Sequence, residues 1–211
     1  MRFHRPALSI LVGCLLLSSA AFAQSGKGTE LGLQAGAAFS KPGGADAEDI
    51  NATYTGYTFG GFARVGVSRN FAVQPELFFV HKGAKQTGSG FSATAKLGYV
   101  ELPVLLMARF PSGTGRITPR VYGGPAVAFK VSCSLSESGT GATLSSDCEG
   151  EFDAKRTDFS LLFGAGLDIN HFTVDVRYDL GLIKVDDATD PADLKNRTFY
   201  ILAGWRFGKG N

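Results

Sequence analysis

The sequence predicts an all-β fold, an eight-stranded antiparallel up-and-down β-barrel that spans a membrane. Three observations support this fold class. Apolar and polar residues alternate over eight long segments, charged residues keep to one face, and aromatic residues gather at the segment ends. Alternation with a period of two is typical of β-strands. An apolar outer face with aromatic rims is typical of membrane-spanning barrels.

The alternating segments are long enough to cross a membrane. In the second segment Tyr57, Phe59 and Val65 share the apolar face, and Arg64 lies on the other face. Most segments reach the roughly 9–11 residues that a tilted transmembrane strand needs. Apart from Lys96 and Arg197, which begin their segments, no charged residue falls on an apolar face, so we expect that face to contact lipid. The segments are residues 31–39, 57–68, 71–81, 96–110, 117–131, 157–169, 172–182 and 197–207.

The connections between the segments alternate in length. Short connections fall at 68–70, 111–116 and 170–171. Long connections fall at 40–56, 83–95, 132–156 and 184–196. Outer-membrane barrels have short periplasmic turns and long external loops. The chain therefore predicts three periplasmic turns and four external loops.

The aromatic residues of the apolar face predict two girdles, because amphipathic rings favour the membrane interface. The outer girdle is predicted from Phe39, Tyr57, Phe59, Phe79, Phe129, Phe159 and Phe199. The inner girdle is predicted from Phe71, Phe110, Phe172, Trp205 and Phe207.

The charged residues of the opposite face predict a filled lumen. An eight-stranded barrel is just wide enough for side chains to fill, and charges at low dielectric need partners. We therefore favour a salt-bridged plug over a conducting pore. Glu76 and Glu101 could instead form a carboxylate pair for acid–base chemistry, although acceptance of bonds from Arg64 or Arg109 is the simpler expectation. The predicted network is Glu30, Arg64, Glu76, Glu101, Arg109, Arg120, Lys130, Asp158, Asp168, Asp175, Arg177, Asp179 and Arg206.

The N-terminus predicts export. A basic start with Arg2 and Arg5 precedes an apolar run over 7–17, and Ala21-Phe22-Ala23 matches a cleavage site. We expect residues 1–23 to be a signal peptide and residues 24–211 to be the barrel domain. Lipidation at Cys14 is the alternative. Cleavage after residue 23 would leave a formally neutral chain, which has no general basic field for nucleic acid.

Three smaller features leave alternatives open. Cys133 and Cys148 bracket the third long loop and predict a disulfide in an oxidising compartment, with two free thiols as the alternative. Acidic runs at 46–49 and 186–190 could bind divalent cations, although solvated loops are the simpler expectation. His81 with Ser89 or Ser92 could suggest a lipid hydrolase, whereas an interfacial histidine is the ordinary alternative.

Several segments also resemble a known family. They are Gln74-Pro75-Glu76 within residues 71–85, Tyr99-Val100-Glu101-Leu102-Pro103 within residues 99–106, and Tyr122-Gly123-Gly124-Pro125. The chain resembles outer-membrane β-barrel proteins of the porin-family or PorT-like type from Bacteroidota. The resemblance covers nearly the whole chain after residue 23. It implies an eight-stranded outer-membrane barrel and carries over no catalytic residue. The chain departs from many such barrels by continuing past Phe207 to Asn211.

Taken together, these features predict a small non-enzymatic protein of the bacterial outer membrane, without cofactor or metal. Its four external loops would serve surface interaction or envelope integrity. The expected partners are outer-membrane lipid, the barrel-assembly machinery and an extracellular ligand or protein, and the barrel would be a monomer. The alternatives are a narrow porin-like channel for small solutes, a secreted soluble β-sandwich and a lipid-active outer-membrane enzyme.

Overall fold

A computed structural model describes residues 28–45, 47, 52–111, 116–139, 142–147, 156–183 and 194–207. Over this part of the chain, nine β-strands follow one another. They are β1 (Thr29–Ser40), β2 (Tyr54–Gly66), β3 (Phe71–Gly88), β4 (Phe91–Arg109), β5 (Ile117–Gly139), β6 (Ala142–Asp147), β7 (Thr157–Ile169), β8 (Phe172–Gly181) and β9 (Arg197–Phe207). Among these residues there is no helix that is long and apolar enough to cross a membrane.

Eight of the strands close into a barrel in which every strand is antiparallel to its neighbours. Sequence neighbours pair around the wall, β5 pairs with β7, and β1 pairs with β9 to complete the ring. The remaining strand, β6, forms a hairpin with β5 outside the ring. The predicted fold class, an eight-stranded antiparallel up-and-down barrel, is confirmed.

The strands are strongly tilted. Paired residues can be followed once around the ring from Thr29, and the path returns to β1 ten residues further along, at Phe39. With eight strands, a rise of about 3.3 Å per residue and a strand spacing of about 4.8 Å, this stagger corresponds to a tilt of about 40°. The path is Thr29, Val65, Val73, Leu106, Gly123, Phe163, Tyr178, Phe199 and Phe39.

Burial alternates along the strands as the sequence predicts. In β8 Val174 and Val176 are exposed, whereas Asp175, Arg177 and Asp179 are buried. This arrangement is the reverse of a water-soluble protein, in which charges lie outside. It is the arrangement expected when hydrocarbon replaces water around the wall.

Two predicted loops prove to be strands. β3 continues to Gly88 and β4 starts at Phe91, joined by a tight turn with Gly90 at φ 82°. β5 continues to Gly139 and pairs with β4 up to Ser92. The loop predictions at 83–95 and 132–156 are therefore wrong in large part. We define the outer sheet as the outer ends of β3 (residues 82–88), β4 (residues 91–98) and β5 (residues 132–139) together with β6.

A β-bulge lies where the barrel passes into the outer sheet. Gly98 pairs with Ser132 and Tyr99 pairs with Lys130, so Val131 is the extra residue on β5. A bulge shifts the side-chain alternation of its strand by one residue. As a result, Lys130 lies on the lumen side below the bulge, and Cys133 lies on the same side above it.

The three predicted short turns lie at the opposite end of the barrel. In the first, Ser68 Oγ accepts hydrogen bonds from the backbone N–H groups of Asn70 and Phe71 at 3.4 and 3.2 Å. In the third, Asn170 adopts the left-handed conformation at φ 54°, which asparagine tolerates better than most residues. The second turn lies partly outside the described residues.

We expect Val176→Arg to destabilise the barrel by about 2–4 kcal/mol, because it places a charge on the lipid face near mid-membrane. Urea titration in lipid vesicles, followed by heat-modifiable gel mobility, would measure the loss. Thr94→Arg in the outer sheet is the matched control and should change stability by less than about 0.5 kcal/mol. Equal effects of the two substitutions would argue against a lipid-facing β8.

Candidate functional site

The inner half of the lumen, nearest the short turns, holds a cluster of four arginines and three carboxylates. Arg64 bridges two of the carboxylates, at 3.1 Å from Glu30 Oε2 and 2.8 Å from Asp168 Oδ2. Arg120 also contacts Asp168 and lies 2.5 Å from Asp175 Oδ2. We call this group the inner cluster. Its members are Glu30, Arg64, Arg109, Arg120, Asp168, Asp175 and Arg206.

Neutral polar side chains add hydrogen bonds to the inner cluster. Gln34 Nε2 donates to Asp175 Oδ2 at 2.6 Å and to Thr173 Oγ1 at 2.8 Å. Tyr122 donates its hydroxyl proton to Asp175 Oδ1 at 2.8 Å. Arg64 Nε donates to Gln74 Oε1 at 2.8 Å. Buried charges persist only when they are paired and hydrogen-bonded. The three carboxylates of the cluster are paired in this way, whereas Arg64 Nη2 and Arg120 Nε have no hydrogen-bond partner among the described residues.

A single two-pronged ion pair crosses the middle of the lumen. The two terminal nitrogens of Arg177 lie 2.7 and 3.0 Å from the two carboxylate oxygens of Glu76. Gln74 Nε2 donates to the same carboxylate at 2.7 Å. The guanidinium also packs over the rings of Phe78 and Tyr122, at 5.5 and 5.3 Å from the ring centroids. This geometry is the strong bidentate form of the arginine–carboxylate pair.

In the outer half of the lumen, Lys82 lies among several carboxylates. Lys82 Nζ lies 3.0 Å from Glu101 Oε2 and also contacts Asp179. Its ammonium lies 5.7 Å from the centroid of the Tyr99 ring. Elsewhere in the outer half, Asn196 Nδ2 donates to Asp158 Oδ2 at 2.6 Å. We call Lys82, Glu101, Asp158 and Asp179 the outer cluster.

Apolar side chains also pack in layers in the lumen, alongside the charged side chains. One layer packs Ala72, Leu105, Met107, Tyr122, Ala126 and Leu162. A second packs Ala38, Phe78, Val80, Tyr200 and Leu202, and a third packs Leu97, Tyr99 and Ala128 with Cys133 against them. The sequence did not predict these layers, because the contents of the lumen were inferred from its charged residues alone.

The structure therefore brings most of the predicted charge network together. Twelve of its thirteen members take part in the contacts above. Lys130 lies opposite Tyr99 on the lumen side, at the top of the barrel. Lys82, at the centre of the outer cluster, was missed because the predicted third segment stops at residue 81. Continuing the even-numbered phase of Gln74 and Glu76 one step past Val80, the last such residue of that segment, would have found it.

The expected partners of two carboxylates are wrong. Glu76 and Glu101 do not act as a carboxylate pair, because Glu76 binds Arg177 and Glu101 binds Lys82. Neither one is bound by Arg64 or Arg109. The two glutamates are on adjacent strands, but Glu101 lies opposite Phe78, two residues along β3 from Glu76.

The two clusters differ in charge balance. The inner cluster has four arginines against three carboxylates, whereas the outer cluster has one lysine against three. Buried carboxylate oxygens without a hydrogen bond within the described residues include Asp158 Oδ1 and Asp179 Oδ1. The inner cluster thus holds more positive than negative side chains, and the outer cluster holds more negative than positive ones. The described residues contain no group of three metal-ligating side chains that could hold an ion.

The residues of the hydrolase alternative do not meet. His81 pairs with Gly98, whereas Ser92 pairs with Thr87, six residues further along β3. At about 3.3 Å per residue this separation is roughly 20 Å. His81 instead stacks on Tyr57 with 4.6 Å between ring centroids. Ser89 lies in the exposed turn beyond β3.

The aromatic residues of both predicted girdles point away from the lumen. At the outer level the rings of Phe59 and Phe79 are 5.5 Å apart, and those of Phe39 and Phe199 are 6.4 Å apart. At the inner level Phe172 meets Trp205 edge to face at 4.6 Å. Ten of the twelve predicted rings are at least 40% exposed, as expected for rings that contact lipid.

Cys133 is disulfide-bonded. Its expected partner Cys148 lies outside the described residues, so the pairing remains a prediction. The register supports it, because Ser134 pairs with Asp147, one residue beyond Cys133 and one before Cys148. Cys14, the acidic run at 186–190 and most of the run at 46–49 also lie outside the described residues.

We expect Arg64→Leu to lower the free energy of unfolding by about 3–5 kcal/mol, because it removes one partner of a buried network. Urea titration by heat-modifiable mobility would measure the change. Arg69→Leu, in the exposed first turn, is the matched control and should stay within about 0.5 kcal/mol of the wild type. An Arg64→Leu protein as stable as the control would contradict the role of the inner cluster.

We expect Cys133→Ser to cost about 3 kcal/mol if Cys133 pairs with Cys148, because the bond closes a loop of about 15 residues. Non-reducing gels and urea titration would report the bond and its effect. Dithiothreitol should weaken the wild type to the level of Cys133→Ser and leave that variant unchanged. A wild type whose mobility and stability ignore reductant would refute the pairing.

Comparison with known proteins agrees with the fold. OprG from Pseudomonas aeruginosa is 12% identical, with 86% of this chain and 97% of that chain covered and a TM-score of 0.52. Ail of Yersinia pestis, solved with the heparin analogue sucrose octasulfate, is 18% identical, with coverages of 85% and 99% and a TM-score of 0.44. Neisserial surface protein A is 12% identical, with coverages of 86% and 100% and a TM-score of 0.45. At these identities the likeness concerns the fold alone.

A search of curated proteins found no match. The family model described as outer membrane protein β-barrel domain matches residues 22–187, which is most of the chain. The closed wall, the lipid-facing apolar belt and the charged lumen are the features that such a domain requires. The chain therefore belongs to the outer membrane protein β-barrel domain family and is a small β-barrel of the bacterial outer membrane.

Proposed function

We propose that this barrel is a closed, non-enzymatic membrane anchor that presents its external loops and outer sheet for contact with an extracellular ligand or protein, or for envelope integrity. The observation that carries the proposal is the filling of the lumen. Arg64, Arg120, Tyr99, Lys82 and Leu105 are each less than 2% exposed. Side chains this large and this buried leave no path of water along the axis.

The order of the filling along the axis supports closure. The inner cluster, the Glu76–Arg177 pair and the outer cluster follow one another along the axis, and apolar side chains pack against them. A solute would have to break charge-assisted bonds and also cross packed leucine, methionine and aromatic side chains. Because an isolated buried charge is costly, the network resists opening.

The external end is the part that could recognise a partner. β3, β4 and β5 continue well past the outer aromatic girdle, and β6 adds a fourth strand to their sheet. The turn at Ser89 and Gly90 is exposed at the tip. Loops held on a rigid scaffold are where binding residues concentrate, and here the barrel is the scaffold.

A non-enzymatic role is supported by what surrounds the reactive groups. His81 stacks between aromatic rings in the outer girdle, and the outer-cluster carboxylates are buried against Lys82. The hydroxyl that contacts an outer-cluster carboxylate is a phenol, because Tyr200 donates to Asp179 Oδ2 at 3.4 Å. The lipid-active alternative therefore has no assembled site to support it in the described residues.

We also propose membership of the PorT-like type. The segments that carry that resemblance have defined roles here: Gln74 and Glu76 join the lumen network, and Pro75 faces outward. Glu101 likewise faces the lumen and binds Lys82. We further propose that residues 1–23 are a cleaved signal peptide, that the barrel-assembly machinery inserts the remainder, and that the barrel is a monomer.

We expect the purified barrel to be silent in planar lipid bilayers, with no conductance steps above the baseline at 100 mV in 1 M KCl. A 16-stranded porin, whose wider lumen holds water, is the positive control in the same membranes. Reproducible steps from the barrel, at a frequency that follows its concentration, would replace the anchor with a narrow channel for small solutes.

A further inference from the structure

We propose that the outer wall of the barrel binds one phosphate-bearing lipid of the outer leaflet, with an acyl chain in a groove on β1, β2 and β9 and the phosphate at Lys85 and Lys96. The proposal is independent of what the loops recognise. It rests on a groove, an aromatic rim and a pair of lysines that follow one another on the lipid side of the wall.

The groove is a shallow apolar cavity of about 820 Å³ on the lipid-facing surface. Small residues form its floor, among them Gly61 on β2 and Ala203 on β9. Larger side chains form its sides, with Leu77 and Phe79 on one side and Trp205 on the other. Because this surface faces hydrocarbon, an acyl chain is the occupant that matches its chemistry.

The outer end of the groove leads to an aromatic rim. Phe79 lines the groove, and the ring of His81 lies 5.3 Å from the Phe79 ring. Tyr57 stacks on the other side of His81 at 4.6 Å. Rings of this kind favour the headgroup level of a bilayer, so this rim marks the depth at which a lipid changes from chain to headgroup.

Two lysines lie directly beyond the rim. Lys96 pairs with Gly83, two residues past His81, and Lys85 pairs with Thr94. Alternation places both lysines on the face of the sheet that also carries His81. They are diagonal neighbours across β3 and β4, a relation that spans about 7–8 Å. Two ammonium groups at that spacing can bind oxygens of one phosphate or of two phosphates on one headgroup.

The rest of this face is suited to a sugar–phosphate headgroup. On β3, β4 and β5 of the outer sheet its other positions are hydroxyl residues apart from glycine, and Glu137 lies on the opposite face, across from Ala93. On β6, at the far edge of this sheet, Asp147 pairs with Ser134. The hydroxyl positions are Thr87, Ser92, Thr94, Ser132, Ser134, Ser136 and Ser138.

Continuity favours a lipid over a protein as the occupant. The groove and the rim belong to the belt that already contacts lipid, and the lysines extend the same face by only a few residues. A lysine near a membrane surface contributes about 1 kcal/mol toward anionic lipid, which corresponds to about fivefold in affinity. The pair together should therefore contribute about 25-fold.

The test is native mass spectrometry of the signal-free barrel, refolded in detergent, with bis-phosphorylated lipid A as the added lipid. We expect one retained lipid A, and a dissociation constant that rises about fivefold in Lys85→Gln or Lys96→Gln and about 25-fold in the double variant. The Lys85→Arg with Lys96→Arg variant, which keeps both charges, should bind lipid A as the wild type does. Gly61→Leu with Ala203→Leu, which fills the groove, should weaken both lipid A and its dephosphorylated form.

Two comparisons decide the outcome. Lys41→Gln with Lys195→Gln removes the same charge near β1 and β9 and should change the dissociation constant by less than twofold. Heat-modifiable mobility confirms that each variant is folded. The proposal fails if the control pair weakens binding as much as Lys85→Gln with Lys96→Gln. It also fails if dephosphorylated lipid A binds the wild type equally well, or if no lipid A is retained.

Discussion

The whole structure depends on the pairing of β1 with β9. Within hydrocarbon, each backbone N–H and C=O group must find its partner in the protein, and a sheet with open edges would leave two strands unpaired. The ten residue pairs between these strands, from Leu31–Phe207 to Ser40–Thr198, remove both edges. The stagger of that closure also sets the tilt of the strands and hence the width of the lumen. The lumen that results is narrow enough that side chains, rather than water, must fill it.

Filling that lumen with charge makes the wall cooperative. Arg64 joins β2 to β1 and β7, and Arg177 joins β8 to β3. These partners are up to 104 residues apart in the chain, so the ion pairs connect strands that are not neighbours in sequence. A buried ion pair adds little net stability compared with an apolar core, but loss of one partner is costly. The network therefore specifies one arrangement of the strands more than it strengthens any one of them.

The sequence predicts the wall well because the bilayer imposes one rule on every strand. Alternation identifies both faces, the girdles and most of the lumen charges, since each depends only on a residue's own strand. It does not identify the partner of each charge, because that depends on the stagger: Glu76 meets Arg177 rather than Arg64. It also misses the outer sheet. Beyond the membrane the outward face becomes serine, threonine and lysine, so the contrast between faces that marks a strand disappears.

The unpaired residue at Val131 has a consequence for how this protein can vary over time. One added residue exchanges the two faces of the strand beyond it. Cys133 therefore lies on the lumen side only while β5 keeps the extra residue at Val131. An insertion or deletion of two residues in β4 or β5 near this point keeps the faces of the strand, whereas a change of one residue exchanges them. Insertions and deletions accepted among descendants of this chain should accordingly come in even numbers there, unless a second irregularity compensates.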